Sequence, residues 1–182
     1  MPIGTPRVLI RPSLPTDLPS IQAIYAHAVQ HGTGTFETDA PDLPEMARRR
    51  EAIVGAGWPW LVAESDGRVL GFAYAGPFRP RRAYRFCLED SIYLAEDARG
   101  AGVGRLLLAE LIARCEALGA RQMLAVIGDS ANTASIGLHE ALGFEPSGLL
   151  KSAGWKMERW LDVVLMQRAL GQGATMAAKD RA

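Results

Sequence analysis

The sequence predicts an α/β (α+β) domain in which a mixed sheet of about six or seven strands is flanked by helices on both faces. The first observation is size, because 182 residues with a hydrophobic share of 48% suffice for one full core. The second is the order of segments, which is strand, two helices, three strands, helix, strand, helix and two strands. The third is that no repeat or interior linker divides the chain. We therefore predict one domain over residues 1–170 and a disordered tail of small and polar residues at 171–182.

The chain begins with an apolar run at residues 7–10, which predicts a first strand. A first helix should follow, because apolar residues recur at helical spacing on one face from Ile21 to Val29. Thr16 or Asp17 can cap the start of this helix, since their side-chain oxygens can accept hydrogen bonds from free amides of the first turn.

The middle of the chain changes from helix to strand. Gly, Thr, Asp and Pro predict a loop over residues 33–44, and a charged helix should cover 45–54. Two apolar runs, at 60–64 and 69–75, flank a Ser-Asp-Gly turn and predict a hairpin. A longer strand is expected over residues 84–94.

The second half alternates helices and strands. An amphipathic helix is predicted at residues 103–118, a buried strand at 123–127 and a further helix at 132–142. Two last strands are expected at 144–150 and 160–167. A mixed sheet with helices on both sides is the simplest packing of these elements.

Composition excludes several classes of function. The net charge is zero, with 20 basic and 20 acidic residues, so we expect no nucleic-acid partner. No apolar run reaches the roughly 18 residues that span a bilayer, and the N-terminus lacks a signal-peptide core, so we expect no membrane partner and a cytoplasmic location. The two cysteines form no CxxC, and HExxH is absent, so no metal site is expected.

The most informative segment lies between the 84–94 strand and the helix that follows. It reads Arg99, Gly100, Ala101, Gly102, Val103, Gly104 and Arg105. The amides at a helix N-terminus attract anions, and glycines let the backbone approach a phosphate, so the segment suits a diphosphate. It fits neither a Walker A loop nor GxGxxG, but it matches Q/R-x-x-G-x-G/A. The alternative is an ordinary glycine-rich turn from strand to helix.

A second motif follows about thirty residues later, where Asn132 and Ser135 open a helix that ends in Leu-Gly-Phe. Together the two motifs resemble the GCN5-related N-acetyltransferase (GNAT) family over roughly residues 7–168. The chain is similar to its phosphinothricin and methionine sulfoximine/sulfone N-acetyltransferase subgroup, through the strings Thr35-Phe36-Glu37, Glu89-Asp90-Ser91-Ile92-Tyr93-Leu94, Leu138-His139-Glu140-Ala141-Leu142-Gly143-Phe144 and Gly154-Trp155-Lys156. The resemblance implies the GNAT fold, acetyl-CoA as cosubstrate, a small-molecule amine as acceptor and a homodimer.

The resemblance also implies roles for individual residues. Glu89 stands at the position of a general base, which must take a proton from the acceptor's ammonium group. His139 stands where most relatives outside the subgroup carry a tyrosine, and it could act as base or as acid. The structural alternatives are a surface carboxylate for Glu89 and a packing histidine for His139.

Binding roles are carried over in the same way. The backbone of Ile92, Tyr93 and Leu94 should pair with the pantetheine arm, and residues 99–105, Asn132 and Ser135 should hold the rest of the cofactor. Asn132 could equally serve as the N-cap of its helix. The residues expected to bind substrate are Phe36, Arg79, Arg81, Arg85 and Glu89. Other acceptors, such as a protein N-terminus, a lysine or a polyamine, and a non-catalytic CoA-binding domain remain alternatives.

Overall fold

The computed structural model describes residues 8–179. These residues form seven strands and four α-helices, as follows: β1 (Leu9–Pro12), α1 (Leu18–His31), α2 (Leu43–Gly55), β2 (Trp60–Ser65), β3 (Arg68–Pro77), β4 (Cys87–Leu94), α3 (Val103–Ala117), β5 (Gln122–Gly128), α4 (Thr133–Glu140), β6 (Glu145–Lys156) and β7 (Arg159–Ala169). Three short 3-10 helices cover Pro15–Asp17, Arg82–Tyr84 and Glu96–Ala98.

One seven-stranded sheet runs through the molecule in the order β1-β2-β3-β4-β5-β7-β6. Its neighbouring strands are antiparallel except for β4 and β5, which are parallel. The predicted mixed sheet of six or seven strands is confirmed.

Each face of the sheet is covered by helices. On one face, the buried leucines Leu107, Leu108 and Leu111 of α3 join a core cluster with Leu88 and Met123 of the central strands. On the other face, α1 and α2 cover an aromatic cluster that contains Trp60 and Phe72. Burial of these side chains is the main source of stability, at about 1.5–3 kcal/mol for each large apolar side chain.

The two parallel strands separate halfway along their length. β4 pairs with β5 only from Cys87 to Asp90, opposite Gln122 to Ala125. Beyond that point β4 remains paired with β3 as far as Leu94, whereas β5 remains paired with β7. The edge of β4 that faces β5 therefore has no strand partner after Asp90.

Several predicted boundaries differ from the structure for local reasons. α2 begins two residues early, because the Asp42 carboxylate accepts a hydrogen bond from the Glu45 amide at 2.9 Å and caps the helix. β4 begins at Cys87 rather than at residue 84, because residues 82–84 form a 3-10 helix. Asp17 precedes α1 but makes no side-chain cap to it, and its carboxylate binds the Arg11 guanidinium instead.

The C-terminal segment continues from β7 along the surface. The Arg121 guanidinium donates hydrogen bonds to the carbonyls of Gly173 and Ala177, at 3.4 and 3.2 Å. Residues 180–182 and residue 7 of the predicted first strand lie outside the described part of the chain. The domain boundary at residue 170 and the disordered tail stay predictions.

Candidate active site

A cavity of about 580 Å³ opens where β4 and β5 separate. It is bounded by the loop after α1, the unpaired edge of β4, the glycine turn before α3, the end of β5 and the start of α4. Ten of the residues expected to hold the cofactor line it, namely Ile92, Tyr93, Leu94, Arg99, Gly100, Gly102, Gly104, Arg105, Asn132 and Ser135.

The glycine turn has the conformation that the sequence predicts for a phosphate cradle. Gly100 and Gly102 have φ angles of +75° and +80°, which residues with a side chain rarely adopt. A Cβ at either position would meet no atom within 4 Å, so the space above the turn is open. Ala101 is exposed and Val103, the first residue of α3, is buried in the core, and neither lines the cavity.

Asn132 caps the helix that follows the cavity wall. Its side-chain oxygen accepts a hydrogen bond from the Ser135 amide at 3.2 Å, as the structural alternative proposed. Because the oxygen is used, the amide NH₂ group of Asn132 is the part left to donate to a ligand.

Glu89 and Asp90 are neighbours on β4 but point to opposite faces of the sheet, since successive side chains of a strand alternate. Glu89 is half-buried on the face covered by α1 and α2, and it does not line the cavity. Burial is the main cause that raises the pKa of Glu89, the negative charge of Asp90 raises it further, and Arg79 opposes the shift.

His139 is buried at the point where the two strands part. Its Nε2 lies 3.0 Å from Oδ2 of Asp90, and its Nδ1 lies 2.7 Å from the carbonyl oxygen of Ser135. Burial alone would lower the pKa of His139, but the hydrogen bond and charge of Asp90, with help from Ser135, raise it above its usual 6.5. The ring edge also meets the Phe144 ring, with centroids 5.0 Å apart.

The loop after α1 is held to the helices by side chains of the Thr-Phe-Glu string. The Tyr25 hydroxyl lies 3.0 Å from the Thr35 hydroxyl and donates to the Glu37 carboxylate at 2.8 Å. The Arg49 guanidinium of α2 donates to the same carboxylate at 2.6 Å. These contacts fix the position of the loop that forms one wall of the cavity.

The same loop is also attached to the far end of the sheet. The Lys156 ammonium, at the end of β6, donates to the carbonyls of Gly32 and Thr35, both at 2.8 Å. Lys156 is 6% exposed, and burial lowers the pKa of its ammonium group. Phe36 packs over Gly128 and Gly154, where any Cβ would collide with its ring. Phe36 thus holds the loop in place but does not line the cavity.

The basic segment before β4 lies outside the cavity. Arg79, Arg81 and Arg85 are exposed, and none of them lines it. The Arg79 guanidinium lies 4.9 Å from the centroid of the Phe78 ring, and that of Arg85 lies 4.4 Å from the centroid of the Phe86 ring. The structure therefore brings together the expected cofactor residues and His139, but it does not bring these arginines to the same space.

Sequence reasoning missed several residues that line the cavity. They include Asp90 and Ser91 of β4, Gly32, Thr33 and Gly34 after α1, and Leu138 of α4. Asp90 and Ser91 belong to the Glu-Asp-Ser-Ile-Tyr-Leu string that supported the resemblance, so the motif itself was an available signal.

Residues 8–179 contain no cluster of three or more His, Cys, Asp or Glu side chains that could hold a metal ion. Neither Cys87 nor Cys115 forms a disulfide. None of the helices in the described part of the chain has the length and apolar character needed to cross a membrane.

Comparison with known proteins settles the family. The sequence profile of the Acetyltransferase (GNAT) family matches residues 21–144. The chain belongs to this family. It is 59% identical over 159 residues to a phosphinothricin N-acetyltransferase of Alcaligenes faecalis, which covers 87% of this chain and 81% of that protein.

Two further relatives agree with the GNAT assignment. An L-methionine sulfoximine/L-methionine sulfone acetyltransferase of Pseudomonas paraeruginosa is 43% identical over 87% of this chain and 92% of its own. The crystal structure of a GNAT phosphinothricin acetyltransferase from Sinorhizobium meliloti, in complex with acetyl-CoA, superposes with a TM-score of 0.92. It is 49% identical and covers 95% of this chain and 94% of that one. The predicted family, subgroup resemblance and GNAT fold are confirmed.

Proposed function

We propose that this GNAT protein transfers the acetyl group of acetyl-CoA to the amino group of a small amino-acid-like substrate of the phosphinothricin, methionine sulfoximine or methionine sulfone type. One observation carries the proposal: the glycine turn and the unpaired edge of β4 line a single cavity. Such a cavity can bind a diphosphate at the turn and a chain of amide groups along the strand edge. Coenzyme A has both of these groups. The named activities of the relatives support the acceptor class.

The cavity can bind acetyl-CoA at both ends of the cofactor. The positive φ angles of Gly100 and Gly102 let the first amides of α3 approach a diphosphate, and the charges of Arg99 and Arg105 complement it. The strand edge from Ile92 to Leu94 offers backbone groups that pair as a β-ladder would. When bound, acetyl-CoA supplies the activated acetyl group.

Glu89 is proposed as the group that takes the proton from the acceptor. An ammonium group has no lone pair, so it must lose a proton before its nitrogen can attack. Burial raises the pKa of Glu89, which brings it closer to neutrality and makes the carboxylate a stronger base. Its half-buried side chain lies on the opposite face from Asp90, so we propose that the acceptor approaches from the side of α1 and α2.

The acceptor's carboxylate needs a cation, for which arginine is well suited. We propose Arg79 for this role, because its positive charge already acts on Glu89. Arg81 and Arg85 are the other candidates on the same segment, and Phe36 is proposed to shape the pocket through the loop that it anchors.

A homodimer is proposed through the β6–β7 face. Large apolar side chains lie exposed there, with Leu150 at 51%, Trp155 at 57% and Trp160 at 62% of their surface. Replacing Trp160 by Lys should shift the protein from dimer to monomer in light scattering coupled to size exclusion. A wild-type mass equal to one chain would rule the dimer out.

We also propose a cytoplasmic location, because the acetyl donor is an intracellular metabolite. Fractionation of cells that express the untagged protein tests this proposal. Recovery of the protein from the medium or the periplasm would contradict it.

An acetyl-CoA turnover screen that detects free thiol tests the activity. Phosphinothricin, methionine sulfoximine and methionine sulfone should release thiol, whereas a polyamine and a peptide with a free N-terminus should not. Turnover of the peptide alone would show that the acceptor class is wrong. Replacing Glu89 by Gln should lower kcat by about 10²-fold, as expected for loss of a general base. The matched change of the exposed helix residue Glu51 to Gln should leave kcat unchanged.

A further inference from the structure

The buried contact between Asp90 and His139 bears on the protonation state of the histidine. His139 Nδ1 lies 2.7 Å from the Ser135 carbonyl oxygen, which can only accept a hydrogen bond, and 3.5 Å from the Ser135 hydroxyl, so the nearer partner requires that Nδ1 carries hydrogen. His139 Nε2 faces a carboxylate oxygen at 3.0 Å, which also accepts. Neither ring nitrogen therefore has a lone pair directed into the cavity.

We propose that Asp90 is a positioning residue that keeps His139 doubly protonated, so that His139 cannot take the proton of the acceptor and the base is Glu89. The proposal deepens the acetyltransferase function proposed above and rests on it. It adds a role for Asp90, and it excludes His139 as the base.

The surroundings favour the ion pair over a separated pair. The side chains of Asp90 and His139 are 1% and 2% exposed, so water cannot replace their mutual contact. Asp90 is the charged group that acts on the pKa of His139; α4 contributes the Ser135 carbonyl, and the neighbouring Phe144 ring is apolar. Arg99 and Arg105 line the same cavity but do not contribute to this pKa.

The second oxygen of Asp90 indicates that the pair of Asp90 and His139 contributes to ligand binding as well as to stability. Among the described residues Oδ1 is buried and has no hydrogen-bond partner, although Asp90 lines the cavity. Most buried carboxylate oxygens have a partner, because an unpaired buried acceptor is destabilising. Oδ1 would therefore gain from a donor that enters between the strands and reaches it.

Nuclear magnetic resonance tests the protonation state without any turnover. The chain has three histidines, and His27 and His31 lie together on α1, with ring centroids 4.7 Å apart. In a protein with both changed to Gln, the ¹⁵N shifts of the remaining histidine should show two protonated nitrogens at about pH 6.5, the pH at which an ordinary histidine is half protonated. One unprotonated nitrogen would overturn the proposal.

The Asp90→Asn variant supplies the second test. In the same background the midpoint of the histidine titration should fall by at least about one pH unit, a tenfold loss of proton affinity. An unchanged midpoint would overturn the proposal. The control is Asp97→Asn, which removes an exposed carboxylate paired with Arg68 and should leave the titration where it is.

The pH profile of turnover gives a readout that a structural role would not move. The acidic limb of kcat, set by Glu89, should move to lower pH in Asp90→Asn, because the charge of Asp90 raises the pKa of Glu89. An acidic limb that stays in place would contradict the proposal. A lack of turnover with every amine would count against the proposed function alone, since the resonance measurement needs no substrate.

Discussion

Lys156 connects the last long hairpin to the cavity wall, and replacing it by Met should both destabilise the protein and weaken acceptor binding. Met keeps most of the side-chain volume but removes the two hydrogen bonds to the Gly32 and Thr35 carbonyls, each of 2.8 Å. A hydrogen bond from a charged group contributes about 1.5–3 kcal/mol, while removal of a buried ammonium relieves part of that loss. The expected net loss in the free energy of unfolding is about 2–4 kcal/mol.

In a domain of this size such a loss corresponds to a melting temperature lower by roughly 5–15 °C. Thermal unfolding followed by circular dichroism measures it, and Lys151→Met is the matched control, because Lys151 is exposed on the same strand. The KM for the acceptor should rise in Lys156→Met, since the released loop carries Phe36, which is proposed to shape the acceptor pocket. An unchanged melting temperature would refute the idea that this lysine secures the loop.

Three further perturbations test other parts of the site and fold. Gly102→Ala should raise the KM for acetyl-CoA at least about tenfold, because alanine is strained by about 1–2 kcal/mol at a φ of +80° and would displace the cradle. Arg79→Ala should raise the KM for the amino acid and move the acidic limb of kcat/KM to higher pH, because Arg79 opposes the upward pKa shift of Glu89 that burial causes. Asp17→Asn should destabilise the protein at neutral pH. The hydrogen bond from Arg11 lowers the pKa of Asp17, so this stabilisation is present above the usual value of 3.8 and is lost as pH falls through the lower folded value.

Each of these has a matched control or a contradicting result. Gly55→Ala should leave the KM for acetyl-CoA unchanged, because Gly55 ends α2 and a Cβ there would meet nothing within 4 Å. Arg81→Ala should not move the acidic limb, since Arg81 has no effect on the pKa of Glu89. For Asp17, urea unfolding at several pH values should show the difference from wild type shrinking as the pH falls below the usual value of 3.8 and through the lower folded pKa. A constant difference would contradict the assignment.

Local patterns were enough to predict most of the fold. The helix at 103–118 was predicted almost to the residue because apolar spacing, an opening glycine turn and a closing glycine all agree with the observed α3. The full length of β6 was not predictable, because its turn into β7 uses Met157 and Glu158 at φ angles of +50° and +58°. Those residue types give no turn signal in a sequence.

The site, like the fold, has parts that local sequence patterns predict and parts that they do not. The glycine turn is one contiguous segment, so its conformation could be predicted from its own residues. Asp90 and His139 are 49 positions apart, and only the packing of α4 against the parting strands brings their side chains together. The two ends of the Lys156 contact are more than 120 positions apart, and nothing local marks that lysine as buried.

The alternation of side chains along β4 separates two carboxylates that are adjacent in the sequence. Glu89 and Asp90 share a peptide bond, yet one carboxylate belongs to the compartment under α1 and α2 and the other to the compartment under α4. Proton uptake by Glu89 on one side is thereby separated from the buried pair of Asp90 and His139 on the other. A single-residue insertion after Leu88 would swap the two compartments although every original residue of the strand is kept, so the catalytic arrangement depends on the phase of this strand as well as on the identity of its residues.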